Sequence, residues 1–261
     1  MTHFNSQEFS RYTRHIQLDD IGVDGQRKLK SAHVLIVGCG GLGAPVSLYL
    51  AAAGVGQLTL VDSDQVELSN LQRQVIFTEA DIGYSKAICA QTSLRALNSH
   101  IEVNVVSERL SVDNAERLIQ AADLVIDCTD NFATRYLIND VCKAQSKPWI
   151  YASVYQFSGQ CALFTPDQSC FRCVFPRPPS NAPDCNSHGV LGVLPGLLGT
   201  LQAIEAIKYL TGIASGITNT LLLIEADIMQ MQKIQLRPNE NCPCCDREFS
   251  FNSALADYQP A

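Results

Sequence analysis

Short unbroken apolar runs alternate along the chain with longer stretches whose mixed pattern suits helices. AHVLIVG (32–38) is a run rich in β-branched residues, of the kind a parallel sheet buries on both faces. It ends in GCGGLG and passes into an apolar stretch of helical length, 44–53. QLTLVDSD (57–64) predicts a second strand that runs out at two carboxylates, IEVNVVSERL (101–110) a third and DLVIDCTDN (123–131) a fourth. Helices are expected between them over 85–97, 112–121 and 132–145. Strand, glycine turn, helix, strand is the βαβ alternation of a doubly wound sheet.

The flanks read differently. Residues 1–31 suggest one or two short amphipathic helices with Phe9, Tyr12, Ile16 and Leu18 along an apolar side. After Pro148, PWIYASVYQFSGQCALFTP reads as closely spaced strands in an antiparallel extension. Residues 174–189 hold four prolines and Gly189, so a long loop is expected there, followed by a helix over 197–211 and strands over 219–225 and 229–236. The predicted fold is α/β: a doubly wound, Rossmann-like, mostly parallel sheet extended by antiparallel strands. Its parts are an N-terminal helical arm (1–31), a nucleotide-binding core (32–147), the strand extension with crossover loop and cysteine knuckles (148–245), and a tail (246–261).

Composition narrows the function classes. A chain of 261 residues that is 46% hydrophobic and 17% charged has ample material for a core. With 26 acidic against 19 basic residues, a net charge of −7 and no Lys/Arg cluster, a nucleic-acid partner is not expected. The least polar stretch, 190–204, contains Pro195, Gln202 and three glycines, so no membrane span is expected. The polar N-terminus lacks the apolar segment of a signal peptide, which points to a cytoplasmic setting.

Gly38, Gly40 and Gly43 satisfy GxGxxG between a predicted strand and a predicted helix, where free N–H groups and the positive end of the helix dipole favour phosphate. Asp62 closes the second strand, where a carboxylate can take a ribose hydroxyl. These residues do not choose between a dinucleotide and ATP. LSNLQRQ (68–74) adds Asn70, Gln72 and Arg73 beyond the acidic strand end, with Lys86 at the next helix start. A redox dinucleotide needs little of that charge, whereas a triphosphate losing pyrophosphate needs several cations. Asp130, ending the fourth strand, is placed to hold Mg²⁺ against phosphates. The plain alternative is a polar surface loop with ordinary charges.

Eleven cysteines divide by setting. Cys39, Cys89, Cys128, Cys142 and Cys161 sit singly in apolar segments, as small buried hydrophobes do. Cys170/Cys173 and Cys242/Cys245 are two CxxC pairs in polar loops, which without a secretory signal read as a tetrahedral structural Zn²⁺ site ahead of a redox or disulfide role. CPCC also offers Cys244, a spare thiol or an exchanging ligand. Cys185, in DCNSHGV, is an incidental loop cysteine or a thiol near the reaction centre, with His188 beside it.

GCGGLG, AGVG (53–56), Asp62, LSNLQRQ and DCTDN (127–131), in that order, resemble the ThiF/MoeB family of sulfur-carrier-protein adenylyltransferases, from about Arg11 to Cys245. The resemblance implies ATP-dependent adenylation of the C-terminal glycine carboxylate of a ubiquitin-like carrier ending in Gly-Gly, with release of pyrophosphate. It makes Gly41 a backbone contact to the nucleotide and Asp62 the ribose ligand. Ser69, Asn70, Leu71, Gln72, Arg73 and Lys86 would line the phosphate site, and Asp130 would hold Mg²⁺ beside Asn131. Arg14, within RYTR, would reach across a homodimer interface, and the four paired cysteines would hold zinc. Cys185 would take part in sulfur transfer, although Ser187 and His188 depart from the usual family residues. LDDI (18–21) and FT-x-x-DI (77–82) favour the ThiS-directed, thiamine branch over the molybdopterin branch. No rhodanese-like extension is expected, and the sulfur is expected from a separate donor such as a cysteine desulfurase or rhodanese-like protein. The alternatives from other classes are an NAD-dependent oxidoreductase and a non-catalytic carrier-binding scaffold; neither accounts for Arg73, Lys86 and Asp130 together.

Overall fold

A computed structural model describes residues 4–177, 189–245 and 258. Eight strands form one sheet: β1 (His33–Val37), β2 (Gln57–Val61), β3 (Glu102–Val106), β4 (Leu124–Asp127), β5 (Trp149–Tyr155), β6 (Ser158–Phe164), β7 (Thr220–Glu225) and β8 (Gln230–Gln235). Their order is β3-β2-β1-β4-β5-β6-β7-β8. The first five are parallel, and β6 to β8 add antiparallel strands at one edge.

Strand alternation builds two cores. Val34 and Ile36 of β1 join one apolar cluster while Leu35 and Val37 join the other, because successive side chains leave opposite faces. The first face is covered by α3 (Gly43–Ala53), α4 (Lys86–Leu97) and α8 (Val193–Thr211). The second is covered by α5 (Ala115–Gln120), α6 (Phe132–Ala144) and α7 (Phe171–Val174). The crossovers on either side of β1 go to opposite faces, so a crevice opens where β1 and β4 lie side by side.

The structure corrects several expectations: the strands expected to reach 64, 110 and 131 end at Val61, Val106 and Asp127, where the chain turns away. The helix expected from 197 begins at Val193, because Pro195 sits in its first turn, where its missing N–H has no intrahelical acceptor to lose. On the arm, α1 (Ser6–Ile16) and α2 (Gly22–Ser31) form, but Phe9 and Leu18 are about half exposed. The buried anchors of α1 are Glu8, ion-paired to Lys30 at 2.7 Å, and Tyr12, whose hydroxyl accepts from Asn98 Nδ2 at 2.8 Å. No described helix is long and apolar enough to cross a membrane.

Candidate active site

The carboxyl ends of β1, β2 and β4 open into a cavity of about 460 Å³. Gly38, Gly40 and Gly41 form part of its wall. Gly38 has φ +96°, and a Cβ there would lie 2.7 Å from the Cys128 carbonyl oxygen. Gly43 is not in the wall: a Cβ on it would lie 2.0 Å from the Gly38 carbonyl oxygen, so its bareness lets α3 close onto the turn.

Beyond β2 the backbone turns at once. Asp62 accepts from the Cys39 N–H at 2.7 Å and from the Asp64 N–H at 2.8 Å, tying the glycine turn to the next segment. Burial raises the Asp62 pKa, and those two N–H donors oppose the shift. Lys86 Nζ, largely buried, lies 3.0 Å from Asp64 Oδ2. Ser69, Asn70, Gln72 and Arg73 join the wall from the following loop; Asn70 is buried, its Oδ1 accepting from the Glu67 N–H at 3.2 Å, and Arg73 Nη1 donates to the Ser69 carbonyl at 3.1 Å. Leu71, in the same loop, is not in the wall.

At the end of β4, Asp127 is fully buried. Its Oδ1 accepts from the Thr129 N–H at 2.9 Å and hydroxyl at 2.6 Å, and Arg135 Nε lies 3.5 Å from its Oδ2. Burial pushes the Asp127 pKa up to about 6 against the pull of Arg135. Arg135 Nη2 donates to the Thr129 carbonyl at 2.8 Å, bracing the turn that carries Asp130. Asp130 is exposed to the cavity and makes no ion pair among the described residues. Asn131 lines the cavity and also caps α6, accepting from the Thr134 N–H at 2.9 Å.

The glycine turn, Asp62, Ser69, Asn70, Gln72, Arg73, Lys86, Asp130 and Asn131 therefore meet in one cavity. Arg14 does not join them within the chain; it lies on α1, donating to Gln17 Oε1 at 3.4 Å. Cys185 and His188 lie outside the described residues. Sequence reasoning missed Asp64, Gln74, Glu108, Arg109 and Arg135, all in the wall. Asp64 had a signal, as the second carboxylate of VDSD, and Gln74 closes LSNLQRQ; Glu108 and Arg109 had none, because that stretch reads as strand.

The paired cysteines form a second constellation. Their sulfurs all lie within 4.8 Å of one another, with separations of 3.8 Å (Cys170–Cys173), 3.5 Å (Cys170–Cys242), 3.6 Å (Cys173–Cys245) and 3.6 Å (Cys170–Cys245). Four thiolates at about 2.3 Å around a tetrahedral ion stand about 3.8 Å apart, so this set could hold a metal ion. Cys244 stands outside the four, buried, accepting from Asn139 Nδ2 at 3.4 Å. Behind the knuckle, Arg172 forks onto Asp140 at 2.7–3.0 Å with both side chains buried, and Asn139 Oδ1 accepts from the Phe171 N–H at 2.8 Å.

The ThiF family model matches residues 12–244. The chain belongs to the ThiF family. It is 43% identical over 264 residues to a sulfur carrier protein adenylyltransferase of Thermus thermophilus, covering 98% of this chain and 97% of that protein. With the sulfur carrier protein ThiS adenylyltransferase of Escherichia coli it shares 45% identity over 243 residues, covering 92% and 96%. Among solved structures, E. coli MccB with ATP superposes with a TM-score of 0.78 at 27% identity, over 93% of this chain and 75% of that one.

Proposed function

We propose that this protein adenylates the C-terminal glycine carboxylate of a ubiquitin-like sulfur-carrier protein of ThiS type, using ATP and releasing pyrophosphate. The observation that carries the reading is the meeting of Asp62, Arg73, Lys86 and Asp130 in one cavity at the crevice of a doubly wound sheet. ThiF-family membership and the named relatives support it.

The chemistry asks for positioning and positive charge. Asp62, in the cavity wall, would accept a ribose hydroxyl, and the glycine turn would let the backbone approach the phosphates. The carrier's carboxylate attacks the α-phosphate and the bond to pyrophosphate breaks, so negative charge grows on the leaving group. Arg73 and Lys86 stabilise that charge, and no general base is needed because the nucleophile is already ionised. Five carboxylates (Asp62, Asp64, Glu67, Glu108, Asp130) face four bases (Arg73, Lys86, Arg109, Arg135) in the wall, so a triphosphate and a carboxylate call for further cations. Asp130, exposed and without an ion pair among the described residues, suits Mg²⁺, which when bound neutralises phosphate charge. A homodimer in which Arg14 crosses to the partner's cavity would add another. The four paired thiols suit a structural Zn²⁺ that fastens the last strands' exit to α7.

The carrier's body would rest on an apolar rim. The Leu191 N–H donates to the Gln156 carbonyl at 3.0 Å and the Ala226 N–H to the Phe157 carbonyl at 2.8 Å. Exposed Phe157 and Leu191 lie at these bonds, Leu191 next in the chain to Val190 of the cavity wall, and exposed Ile228 and Met229 occupy the β7–β8 turn just beyond Ala226. A molybdopterin-type carrier is the second reading. Exchange of labelled pyrophosphate into ATP tests the proposal: it should require carrier and Mg²⁺ and be lost in Arg73→Ala, with the fold retained. Exchange without any carrier, or undiminished in Arg73→Ala, would overturn it.

A further inference from the structure

Lys86 is in an unfavourable place for a structural lysine. It is the first residue of α4, where a positive charge opposes the helix dipole, and its side chain is only 9% exposed. The fold holds it there through one residue. Asp64 Oδ2 accepts from Lys86 Nζ at 3.0 Å, and the Asp64 carbonyl accepts the Lys86 N–H at 2.9 Å. The same short segment is laced further: the Val66 N–H donates to the Tyr84 carbonyl and the Gly83 N–H to the Val66 carbonyl, each at 2.9 Å, with a bridge between Gln65 and Ser85. Upstream, the Asp64 N–H is held by Asp62 Oδ1, and Asp62 Oδ2 holds the Cys39 N–H. A continuous chain of bonds thus runs from the glycine turn through Asp62 and Asp64 to the ammonium.

Asp64 itself is 61% exposed on its side chain, so its ion pair adds little to stability. It is also a carboxylate in the wall of a cavity that is to receive phosphate. A negative charge in that place weakens nucleotide binding, so it must return something else.

We propose that Asp64 is a positioning residue for Lys86: it holds the ammonium over the phosphate end of the cavity and yields it to the charge that develops on the departing pyrophosphate. This rests on the adenylation reading. The ammonium is held at the cavity before ATP arrives, so it has only to exchange one partner for another and need not be brought in from solvent. The cost falls on ground-state affinity, because phosphate and Asp64 compete for the same ammonium.

That competition gives a test with opposite signs for binding and turnover. The full-length protein and its Asp64→Asn and Asp64→Glu variants are compared by calorimetric titration with a non-hydrolysable ATP analogue and Mg²⁺, by single-turnover pyrophosphate release with carrier, and by thermal melting. Asp64→Asn should bind the analogue about tenfold more tightly, as removal of a like charge from the wall of a half-solvated phosphate site implies. Its turnover should fall by at least about tenfold as the ammonium loses its aim. Asp64→Glu, which can still reach Lys86, should recover most of the turnover. Weaker analogue binding in Asp64→Asn, or unchanged turnover, overturns the proposal while leaving the adenylation reading standing. A wild-type protein that binds no analogue and releases no pyrophosphate overturns the reading, and the proposal with it.

Discussion

Replacing Arg172 with methionine isolates the contact that seats the cysteine knuckle on α6. Arg172 stands between Cys170 and Cys173 and is 2% exposed; Asp140 is completely buried. Its Nε lies 2.8 and 3.0 Å from the two Asp140 oxygens and its Nη2 lies 2.7 Å from Oδ2, while the guanidinium covers the Tyr136 ring at 4.5 Å. Methionine keeps much of the packing volume but leaves a buried carboxylate whose other described donors are neutral, Asn139 Nδ2 at 2.8 Å and Tyr258 Oη at 2.7 Å. Removing one partner of such a pair costs roughly 3–5 kcal/mol. An unfolding entropy of about 2.1 cal/mol/K per residue gives roughly 0.55 kcal/mol per degree for this chain, hence a loss of about 5–9 °C in Tm. The double variant Arg172→Met/Asp140→Asn removes the stranded charge, while the amide oxygen it introduces can still accept from Asn139 and Tyr258, so it should melt above Arg172→Met. Differential scanning calorimetry of wild type, both single variants and the double variant measures the coupling directly. Strictly additive losses, or a Tm drop under about 2 °C for Arg172→Met, would refute the reasoning.

Four further outcomes are expected. The folded state binds more protons than the unfolded chain between the ordinary Asp value of 3.8 and about 6, so Asp127 makes stability fall as pH rises through that window, by up to roughly 3 kcal/mol; urea unfolding at several pH values should show that slope flattened in Asp127→Asn. Gly43→Ala places a methyl 2.0 Å from a backbone oxygen that no side-chain movement can relieve, so it should lower Tm by several degrees and weaken ATP binding, read by melting and calorimetry. Phe157→Asp combined with Met229→Asp should raise the KM for the whole carrier by about tenfold or more, with ATP affinity unchanged in a calorimetric titration. If the four thiols hold Zn²⁺ as proposed, removing metal with a strong chelator, or Cys173→Ser, should release about one Zn²⁺ per chain by elemental analysis and lower Tm, because the thiolates would fill every position around the ion and bind only in the folded chain.

The parallel core was legible because buried strands announce themselves: AHVLIVG and DLVID are continuous apolar runs that only a sheet covered on both faces accommodates. The same signal overran at the carboxyl ends. Strands expected to 64, 110 and 131 stop at Val61, Val106 and Asp127. Past each of these ends the backbone is polar and turns toward the cavity, held by side-chain bonds such as Asp64 N–H to Asp62 and Thr129 N–H to Asp127. Those overruns hid Glu108 and Arg109 from view. Arg135 was hidden for another reason: its helical position looks ordinary in sequence, and only folding brings its guanidinium back against Asp127 and Thr129. On the arm, periodicity pointed to Phe9, Tyr12, Ile16 and Leu18; Tyr12 is buried as expected, Ile16 is half-buried and Phe9 and Leu18 are exposed, while the buried Glu8, paired with Lys30, gave no apolar signal. The choice between Cys244 and Cys245 followed from CxxC spacing, since two residues between ligands let one turn present both sulfurs to a single point.

The most direct measurement is the intact mass of a ThiS-type carrier and of a molybdopterin-type carrier after incubation with this protein, ATP and Mg²⁺, followed by fragmentation to locate any adduct. The account predicts AMP on the C-terminal glycine of the ThiS-type carrier, absent when Asp130→Ala replaces the wild type. Unmodified carriers in the presence of a protein that binds ATP, or an adduct that survives Asp130→Ala undiminished, would contradict it.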